Sequence, residues 1–530
     1  MKPLPVDTGS FLNIRNGGML YVDKTAYLHR LIVSSRKCYF LARPRRFGKS
    51  LMITTLKEIF NGRKDLFEDL AIAKSDYEWK KHPVLHFNFG FASSAESFEI
   101  FANNFAARIR SVLAEVGCDY DANLGPGENF GAAIDFLAAK AGEGRNAVLP
   151  VILIDEYDDP VAKMLDRVDI AEKVRDRLAS FFGQLKDRTE KYRFLMITGV
   201  SKFTKMSIFS TLSNLIDISC EDEYATMLGY TEAELDEYFT DRMRLQAAAM
   251  GLSNEVYRAE LKRIYNGYRF WKKHGENVYN PVSINLNLDK CSDEFEYYWT
   301  QTGRASTLMN LIKRGDMLAI DPERLKPVSE RAFDVSDLRN LKPIGMLYQT
   351  GYLTILDYNS QTMRYTLGVP DDEVRRDMSL LFSSLYADKD VAWAANVGGY
   401  LFDGDFDSFF LALKSLYAGV AYGSTEESVH EASFARNLQF LLAGQGFRMT
   451  PERTTADGRI DLVADHSCGT YIFELKVDKS AEIAMSQAEA KEYAAAYVAP
   501  NKPVWLIGLS FERKSRKFLE GAYERLVVSD

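Results

Sequence analysis

The most informative segment of this chain is Lys37-Cys-Tyr-Phe-Leu-Ala-Arg43-Pro-Arg-Arg-Phe-Gly48-Lys49-Ser50. Its apolar first part, residues 37–42, predicts a strand, and the periodic sequence after Ser50 predicts a helix. A loop that ends in Gly-Lys-Ser between a strand and a helix is typical of a phosphate site, because the first amides of the helix and its dipole attract anions. Lys49 would reach the β- and γ-phosphates of a nucleotide, and the Ser50 hydroxyl would bind Mg²⁺.

This loop departs from the pattern GxxxxGK[ST], because Arg43 stands where the first glycine is expected. The alternative interpretation is an ordinary strand, turn and helix with a basic turn. A second motif favours the phosphate site: Val151–Glu156 is an apolar strand that ends in Asp155 and Glu156. Asp155 would lie beside Mg²⁺ and Glu156 would polarise the attacking water. Solvated acids at a strand end are the alternative for this motif.

Further strands are predicted at Val84–Phe89, Val148–Ile154 and Phe194–Val200, with long helical stretches between them. Strands that alternate with helices favour a parallel α/β sheet. The last of these strands carries Thr198 at its end, where a polar group either senses the γ-phosphate or caps the strand. In the basic loop, Arg45 and Arg46 would bind phosphate or a neighbouring subunit, or remain solvated charges.

A second set of charged residues lies near the end of the chain, in Gly458-Arg-Ile-Asp461 and Tyr471-Ile-Phe-Glu474-Leu-Lys476. The turn between them predicts a β-hairpin, and the two-residue period of a strand puts Glu474 and Lys476 on one face. Asp461 and Glu474 would hold Mg²⁺ while Lys476 positions or deprotonates the attacking water. A surface hairpin with alternating charges is the alternative.

Two predicted helices flank this hairpin. Residues 427–442 form a helix that brings an acid to the core, for which we prefer Glu431 to Glu427. The Ala-rich stretch after the hairpin places Gln487 and Lys491 one helical turn apart.

Between the two halves of the chain, residues 231–305 are helical and polar-aromatic. A helix and two short strands then follow in residues 340–370, a pattern that resembles a winged-helix module.

Taken together, these motifs resemble the AAA-ATPase-like family of prokaryotic proteins that carry a C-terminal PD-(D/E)XK nuclease domain. The stretches that carry the resemblance are YVDKT (Tyr21–Thr25), RPRRFGKS (Arg43–Ser50), LIDEYDDP (Leu153–Pro160), TGVSKF (Thr198–Phe203), NGYRF (Asn266–Phe270), VYNPVS (Val278–Ser283), YWTQTG (Tyr298–Gly303), QTGYLTI (Gln349–Ile355) and the D…ExK hairpin. The resemblance implies that the arginine in place of the first glycine is a family trait. It also implies nuclease roles for Gln487, Lys491 and Tyr493. The motifs also resemble archaeal-type ATPases and related signal-transducing NTPases, in which a helical lid and a winged helix follow the ATPase core.

Composition limits the remaining possibilities. The chain has 530 residues, a net charge of −8 and 46% hydrophobic residues, which is the balance of a soluble protein of several domains. No apolar run is long enough to span a membrane, and the first ten residues lack the apolar region of a secretory signal. The five cysteines are scattered, which indicates reduced thiols in a cytoplasmic protein.

The sequence therefore predicts an α/β multidomain protein. We expect a P-loop NTPase domain with a parallel sheet (1–225), a helical lid (226–335), a winged-helix-like module with a helical connector (336–420) and a PD-(D/E)XK nuclease-like α/β domain (421–530). The predicted nucleotide-binding residues are Arg45, Arg46, Gly48, Lys49, Ser50, Asp155 and Thr198. The predicted metal ligands are Ser50, Asp155, Glu431, Asp461 and Glu474. The predicted catalytic residues are Glu156, Asp461, Glu474, Lys476 and Gln487.

The function that follows is cleavage of nucleic acid, DNA in particular, under the control of bound ATP. ATP and Mg²⁺ are the expected cofactors, with Mn²⁺ as a substitute at the nuclease site, and the chain could form a homo-oligomer. A nucleotide-gated signalling or nucleic-acid-binding scaffold that cuts nothing is the rival from another class. A plain ATPase with a relic C-terminal fold is the third possibility.

Overall fold

The computed structural model describes residues 1–90, 97–142, 144, 147–201, 214–273, 275–290, 292–299, 325–333, 338, 343–387, 389–418, 431–455, 458–490, 497 and 502–526. Several residues named above lie outside these ranges: Lys202, Phe203, Glu427, Lys491, Tyr493 and the segment 300–303. The chain divides into two compact units. The first comprises Met1–Tyr298 with Pro322–Asp371, and the second comprises Trp299–Asp321 with Asp372–Asp530.

The first unit begins with an α/β layer built around a sheet. Its helices are α1 (Phe11–Asn16), α2 (Thr25–Val33), α3 (Lys49–Phe60), α4 (Phe98–Glu115), α5 (Pro126–Ala139), α6 (Asp159–Ala162) and α7 (Val168–Gly183). Its strands are β1 (Cys38–Ala42), β2 (Val84–Asn88), β3 (Val151–Asp155), β4 (Phe194–Gly199) and β5 (Ile216–Asp217). The predicted alternation of strands and helices is present.

These five strands form one parallel sheet in the order β2-β3-β4-β1-β5. Every residue of β3 and β4 is buried, as expected for central strands that are covered by helices on both faces. Parallel strands bring their carboxyl ends to the same edge of the sheet. The loop after β1 therefore shares an edge with the acids after β3 and with the end of β4.

The rest of the first unit is mainly helical. It contains α8 (Glu232–Tyr238), α9 (Thr240–Ala249), α10 (Asn254–Tyr265), the paired strands β6 (Asn266–Tyr268) and β7 (Val278–Tyr279), and α11 (Pro281–Asp289). Next come β8 (Val328–Ser329), α12 (Pro343–Thr350), β9 (Thr354–Asn359) and β10 (Arg364–Gly368), whose strands form an antiparallel sheet in the order β8-β10-β9. A helix followed by a hairpin is thus present at the predicted position.

The second unit holds α13 (Asp372–Ala387), α14 (Val391–Asp403), α15 (Phe406–Ala418), α16 (Glu431–Ala443), β11 (Arg448–Thr455), β12 (Gly458–His466), β13 (Gly469–Val477), α17 (Ala481–Ala490), β14 (Val504–Phe511) and β15 (Phe518–Leu526). Its five strands form a mixed sheet in the order β11-β12-β13-β14-β15, in which β13 and β14 are parallel and the other neighbours antiparallel. The chain crosses from β13 to β14 through α17.

The protein is therefore a mixed α/β multidomain protein with a five-stranded parallel sheet and a C-terminal mixed sheet. Within the described ranges, no helix has both the length and the apolar character that a membrane span requires.

Candidate functional sites

The loop after β1 turns sharply into α3. Arg46 and Gly48 have positive φ angles of 67° and 84°, and α3 begins at Lys49 without a side-chain cap. The Lys49 side chain is buried, and its ammonium donates to the carbonyl oxygens of Arg43 at 2.9 Å and Pro44 at 2.7 Å. Burial lowers the pKa of Lys49 to about 8, although the negative charges of nearby Asp155 and other acids act to raise it.

Arg43, the residue that replaces the first glycine, directs its side chain away from the loop and into the core. Its guanidinium donates to the backbone carbonyls of Ser219 and Tyr224, and it lies 4.1 Å from the ring centre of Phe270. The side chain is only 1% exposed, and burial lowers the pKa of Arg43 to about 10. The arginine therefore does not fill the loop, which removes the steric objection to a phosphate site.

The two other arginines of the loop have protein partners. Arg45 lies 3.4 Å from an Asp159 carboxylate oxygen, and Arg46 donates to the carbonyl oxygen of Tyr298 at 2.8 Å. Ser50 is half-buried at the second position of α3. Each of these side chains lies on the loop or the first turn of α3, at the edge where β1 ends.

Asp155 ends β3 and is almost fully buried. One of its carboxylate oxygens accepts from the Thr198 hydroxyl at 2.6 Å and from the amide of Glu156 at 3.0 Å. The other oxygen lies 3.4 Å from the Asn88 side-chain amide at the end of β2. Thr198 thus contacts Asp155 directly, and the ends of three neighbouring strands meet at this carboxylate.

Glu156 has a left-handed backbone with φ 53°, which turns its side chain towards the end of β2. A methyl group on Gly90 would overlap its carboxylate, so glycine at position 90 gives Glu156 its space. Burial, followed by the charges of Asp155 and Asp159, raises the pKa of Glu156. The glutamate therefore holds a proton more readily than a solvated one does.

Asp158 is a residue of this site that the sequence interpretation missed. Its buried carboxylate accepts from the amides of Val200 and Ser201 and from the Ser201 hydroxyl, and so holds the segment that follows β4. Burial raises the pKa of Asp158 despite these hydrogen bonds. The signal available in the sequence was a run of acids beside an apolar strand, which did not separate the buried acid from solvated ones.

A pocket adjoins the loop. Its wall is mainly apolar and joins the N-terminal segment, the start of α3 and the segment before α8; the lining includes Leu20, Val22, Gly48, Met52, Leu228 and Tyr230. Lys24 also lines it, with its ammonium 2.8 Å from both the Thr226 carbonyl oxygen and a Glu234 carboxylate oxygen. No sequence pattern had indicated this pocket.

The C-terminal site forms on β12 and β13. Leu462 pairs with Phe473 across the two antiparallel strands, so Asp461 lies opposite Glu474. One Asp461 carboxylate oxygen accepts from the Leu475 amide at 2.9 Å. Glu474 is only 2% exposed. The predicted hairpin is present, and it brings both carboxylates to one place on the sheet.

Three further predicted residues surround Glu474. The Lys476 ammonium lies 2.9 Å from a Glu474 carboxylate oxygen and 3.7 Å from one of Glu431. Gln487, on α17, donates its side-chain amide to the same Glu474 oxygen that Lys476 contacts. Asp461, Glu474, Lys476, Gln487 and the α16 acid Glu431 therefore form one cluster.

The charge state of Lys476 follows from this cluster. Burial acts to lower the pKa of Lys476, but the hydrogen bond to Glu474 and the charges of Glu474, Glu431 and Asp461 outweigh it, so the pKa is raised. Lys476 is therefore an ammonium at neutral pH, suited to holding a water or a developing negative charge and not to taking a proton.

The donor atoms are carboxylate oxygens, which is the ligand chemistry that Mg²⁺ and Mn²⁺ prefer. In the part of the chain that the structure describes, no group of three or more His, Cys, Asp or Glu side chains is arranged to hold a metal ion. Asp461 and Glu474 therefore present two carboxylates from neighbouring strands, and the Glu474 carboxylate is already paired with the Lys476 ammonium.

Two family models match these two regions. The model of the AAA-ATPase-like family, described as "Predicted AAA-ATPase", matches residues 5–209, and that of the PD-(D/E)XK nuclease superfamily matches residues 428–520. The chain is thus a protein with an AAA-ATPase-like domain and a PD-(D/E)XK nuclease superfamily domain.

The chain belongs to the family of proteins that join these two domains, and one relative matches it almost end to end. That relative, from Azotobacter chroococcum mcd 1, bears the name "Uncharacterized protein in vnfD 5'region". It is 32% identical over 546 residues, which cover 99% of each chain. No solved structure matches the chain.

Proposed function

We propose that this protein binds ATP in its N-terminal domain and cleaves nucleic acid, DNA in particular, in its C-terminal domain under the control of the bound nucleotide. The observation that carries the proposal is the cluster of Asp461, Glu474, Lys476 and Gln487. Two opposed carboxylates, a charged lysine and an amide that fixes one carboxylate are the groups that metal-dependent phosphodiester hydrolysis needs.

In the nucleotide site, the amides at Gly48 and the start of α3 would hold the phosphates. Lys49 would exchange the carbonyls of Arg43 and Pro44 for β- and γ-phosphate oxygens. Mg²⁺ would neutralise phosphate charge, held by Ser50 and Asp155. The buried Glu156 would orient the attacking water, and Thr198 would act through its hydrogen bond to Asp155.

The apolar pocket beside Gly48 offers a place for the adenine base. A flat, weakly polar base fits a wall of aliphatic and aromatic side chains, and the pocket adjoins the loop that would hold the phosphates. Arg45 and Arg46 lie at the same edge and would contact phosphate or a neighbouring subunit. A homo-oligomer would follow if Arg45 or Arg46 served a neighbouring site.

The domain boundaries given above remain part of this proposal. Residues 226–335 would form a lid over the nucleotide, and residues 336–420 would form a winged-helix-like module with its connector. The helices α8–α11 and the α12–β9–β10 arrangement support these assignments.

In the nuclease site, a bound Mg²⁺ or Mn²⁺ would lower the pKa of a bound water and polarise the scissile phosphate. Asp461 and Glu474 would bind the metal, and Glu431 would contribute from α16. Gln487 would fix the orientation of Glu474. The Lys476 ammonium would move from Glu474 towards the reacting oxygens, where its charge stabilises the transition state.

A second function, a nucleotide-gated scaffold that cuts nothing, is favoured by one observation. The Lys476 ammonium already neutralises Glu474 and lies within 4 Å of Glu431, so the cluster is satisfied as an ion-pair network without a metal. An ion pair of this kind can hold a fold together and do no chemistry.

One experiment separates the two functions. Purified protein is incubated with plasmid, linear and single-stranded DNA and with RNA, with and without ATP, in Mg²⁺ or Mn²⁺. The proposal expects metal-dependent cleavage of at least one substrate at a rate that ATP changes. No cleavage under any condition, together with ATP-dependent binding of the substrate, would support the scaffold.

A further inference from the structure

The turn that joins β14 to β15 is strongly basic. Its sequence is Glu512-Arg-Lys-Ser-Arg-Lys517, with four cationic side chains and one acidic side chain. Lys514 and Lys517 are exposed to solvent. A basic turn is commonly just a solvated loop. Its position relative to the nuclease cluster decides whether it could contact nucleic acid bound there.

The turn leaves the sheet at the same end as the nuclease cluster. Strands β13 and β14 are parallel, with Lys476 opposite Ser510 and Val477 opposite Phe511. Lys514 follows Ser510 by four residues, which is at most about 13 Å of extended chain. That reach corresponds to about four nucleotide steps along one strand of a duplex.

The turn is also held against the catalytic strand. Arg513 donates its backbone amide and its side chain to the carboxylate of Asp478, at 2.9 and 3.2 Å, and Asp478 follows the end of β13 directly. The Glu512 amide donates to the Lys517 carbonyl at 2.9 Å and closes the turn. Lys479, next to Asp478, is exposed and adds another positive charge nearby.

We propose that residues 512–517 form a phosphate-backbone clamp that holds the nucleic acid beside the nuclease cluster. The proposal rests on the proposed nuclease function. Asp461, Glu474 and Glu431 repel a polyanion, and the chain as a whole has a net charge of −8. Lysine binds a phosphate as a point charge and arginine as a two-pronged donor, and neither contact distinguishes one base from another. Binding by the clamp would therefore be independent of the nucleic-acid sequence and would weaken as the salt concentration rises.

The test measures binding separately from cleavage. In an Asp461→Ala background, a short fluorescein-labelled duplex DNA and a single-stranded RNA are titrated at several salt concentrations. The clamp variant is Lys514→Gln with Lys517→Gln. The matched control is Lys502→Gln with Arg525→Gln, which removes the same charge at the opposite end of β14.

The clamp variant should bind duplex DNA more weakly, and its plot of log affinity against log salt should be shallower by up to about 1.8, or 0.9 for each lost phosphate contact. The control should keep the slope of the parent, and Lys514→Arg with Lys517→Arg should restore it. Thermal unfolding checks that the variants fold.

An unchanged affinity and slope in the clamp variant, an equal change in the control, or a parent that binds neither probe would overturn the clamp. The failure of the nuclease proposal looks different. A native chain that cuts nothing while the salt slope still depends on Lys514 and Lys517 would refute the nuclease and leave the clamp standing.

Discussion

ATP affinity should fall as the pH rises through about 8, because Lys49 loses its charge there. The free protein holds the Lys49 ammonium against two loop carbonyls in a buried site, and burial lowers its pKa to about 8. Phosphate oxygens favour the charged form. Binding is therefore at full strength below the pKa of the free protein and weakens above it.

The size of the effect follows from the pKa. If bound phosphate keeps Lys49 charged, the apparent dissociation constant for ATP is multiplied by a factor. That factor is one plus the ratio of neutral to charged Lys49 in the free protein. Between pH 7 and pH 9 the affinity should therefore drop about tenfold, or about 1.4 kcal/mol. Anisotropy of a fluorescent ATP analogue at constant ionic strength measures this drop without any need for turnover.

Lys49→Arg is the matched control, because a guanidinium stays protonated throughout this range. Its affinity should be flat with pH even if it is weaker at pH 7. A flat profile for the native chain, or the same slope in both proteins, would refute the assignment of Lys49 to the phosphates. Lys49→Ala should weaken binding by a few kcal/mol at pH 7.

Three other changes test separate parts of the account. Arg43→Gly, which restores the usual loop residue, should lower the free energy of unfolding by about 1.5–3 kcal/mol in a denaturant titration, because it removes buried hydrogen bonds of a charged group; a stability equal to that of the native chain would contradict the anchoring role. Gly90→Ala should displace Glu156 and, like Glu156→Gln, reduce ATP turnover by roughly 10²-fold while ATP still binds; full turnover in either variant would remove Glu156 from the reaction. Lys476→Ala should keep metal binding, measured by calorimetry, and lose cleavage, whereas rapid cleavage by this variant would leave Lys476 without a chemical role.

Local patterns predicted the parts of both sites that lie on regular elements. The strand, loop and helix around Lys49 and the hairpin with Asp461, Glu474 and Lys476 follow from periodicity and turn residues within a few positions. The role of Gln487 was predicted from the family resemblance, at a position on the helix that follows the hairpin. These residues meet because strand pairing fixes their register.

Sequence patterns did not predict the contacts between segments that lie far apart in the chain. The Arg43 side chain donates hydrogen bonds to carbonyl oxygens 176 and 181 residues further along the chain. From the pattern alone, the arginine therefore counted against a phosphate-binding loop. The two-residue strand β5 is too short to show any period. Strand β11 contains Pro451, which argues against a strand, and the structure tolerates it because β11 is an edge strand.

An Asp461→Asn variant provides the sharpest test of the proposed nuclease activity. Asp465→Asn is the matched control, because it makes the same change on the same strand but at a carboxylate that contacts Thr470 and Lys502. Both variants and the native chain are incubated with a DNA and RNA panel in Mg²⁺ and ATP, and ATP binding is titrated in parallel. We expect that Asp461→Asn abolishes cleavage and leaves ATP affinity unchanged, while Asp465→Asn still cuts. Cleavage that survives in Asp461→Asn would contradict this expectation.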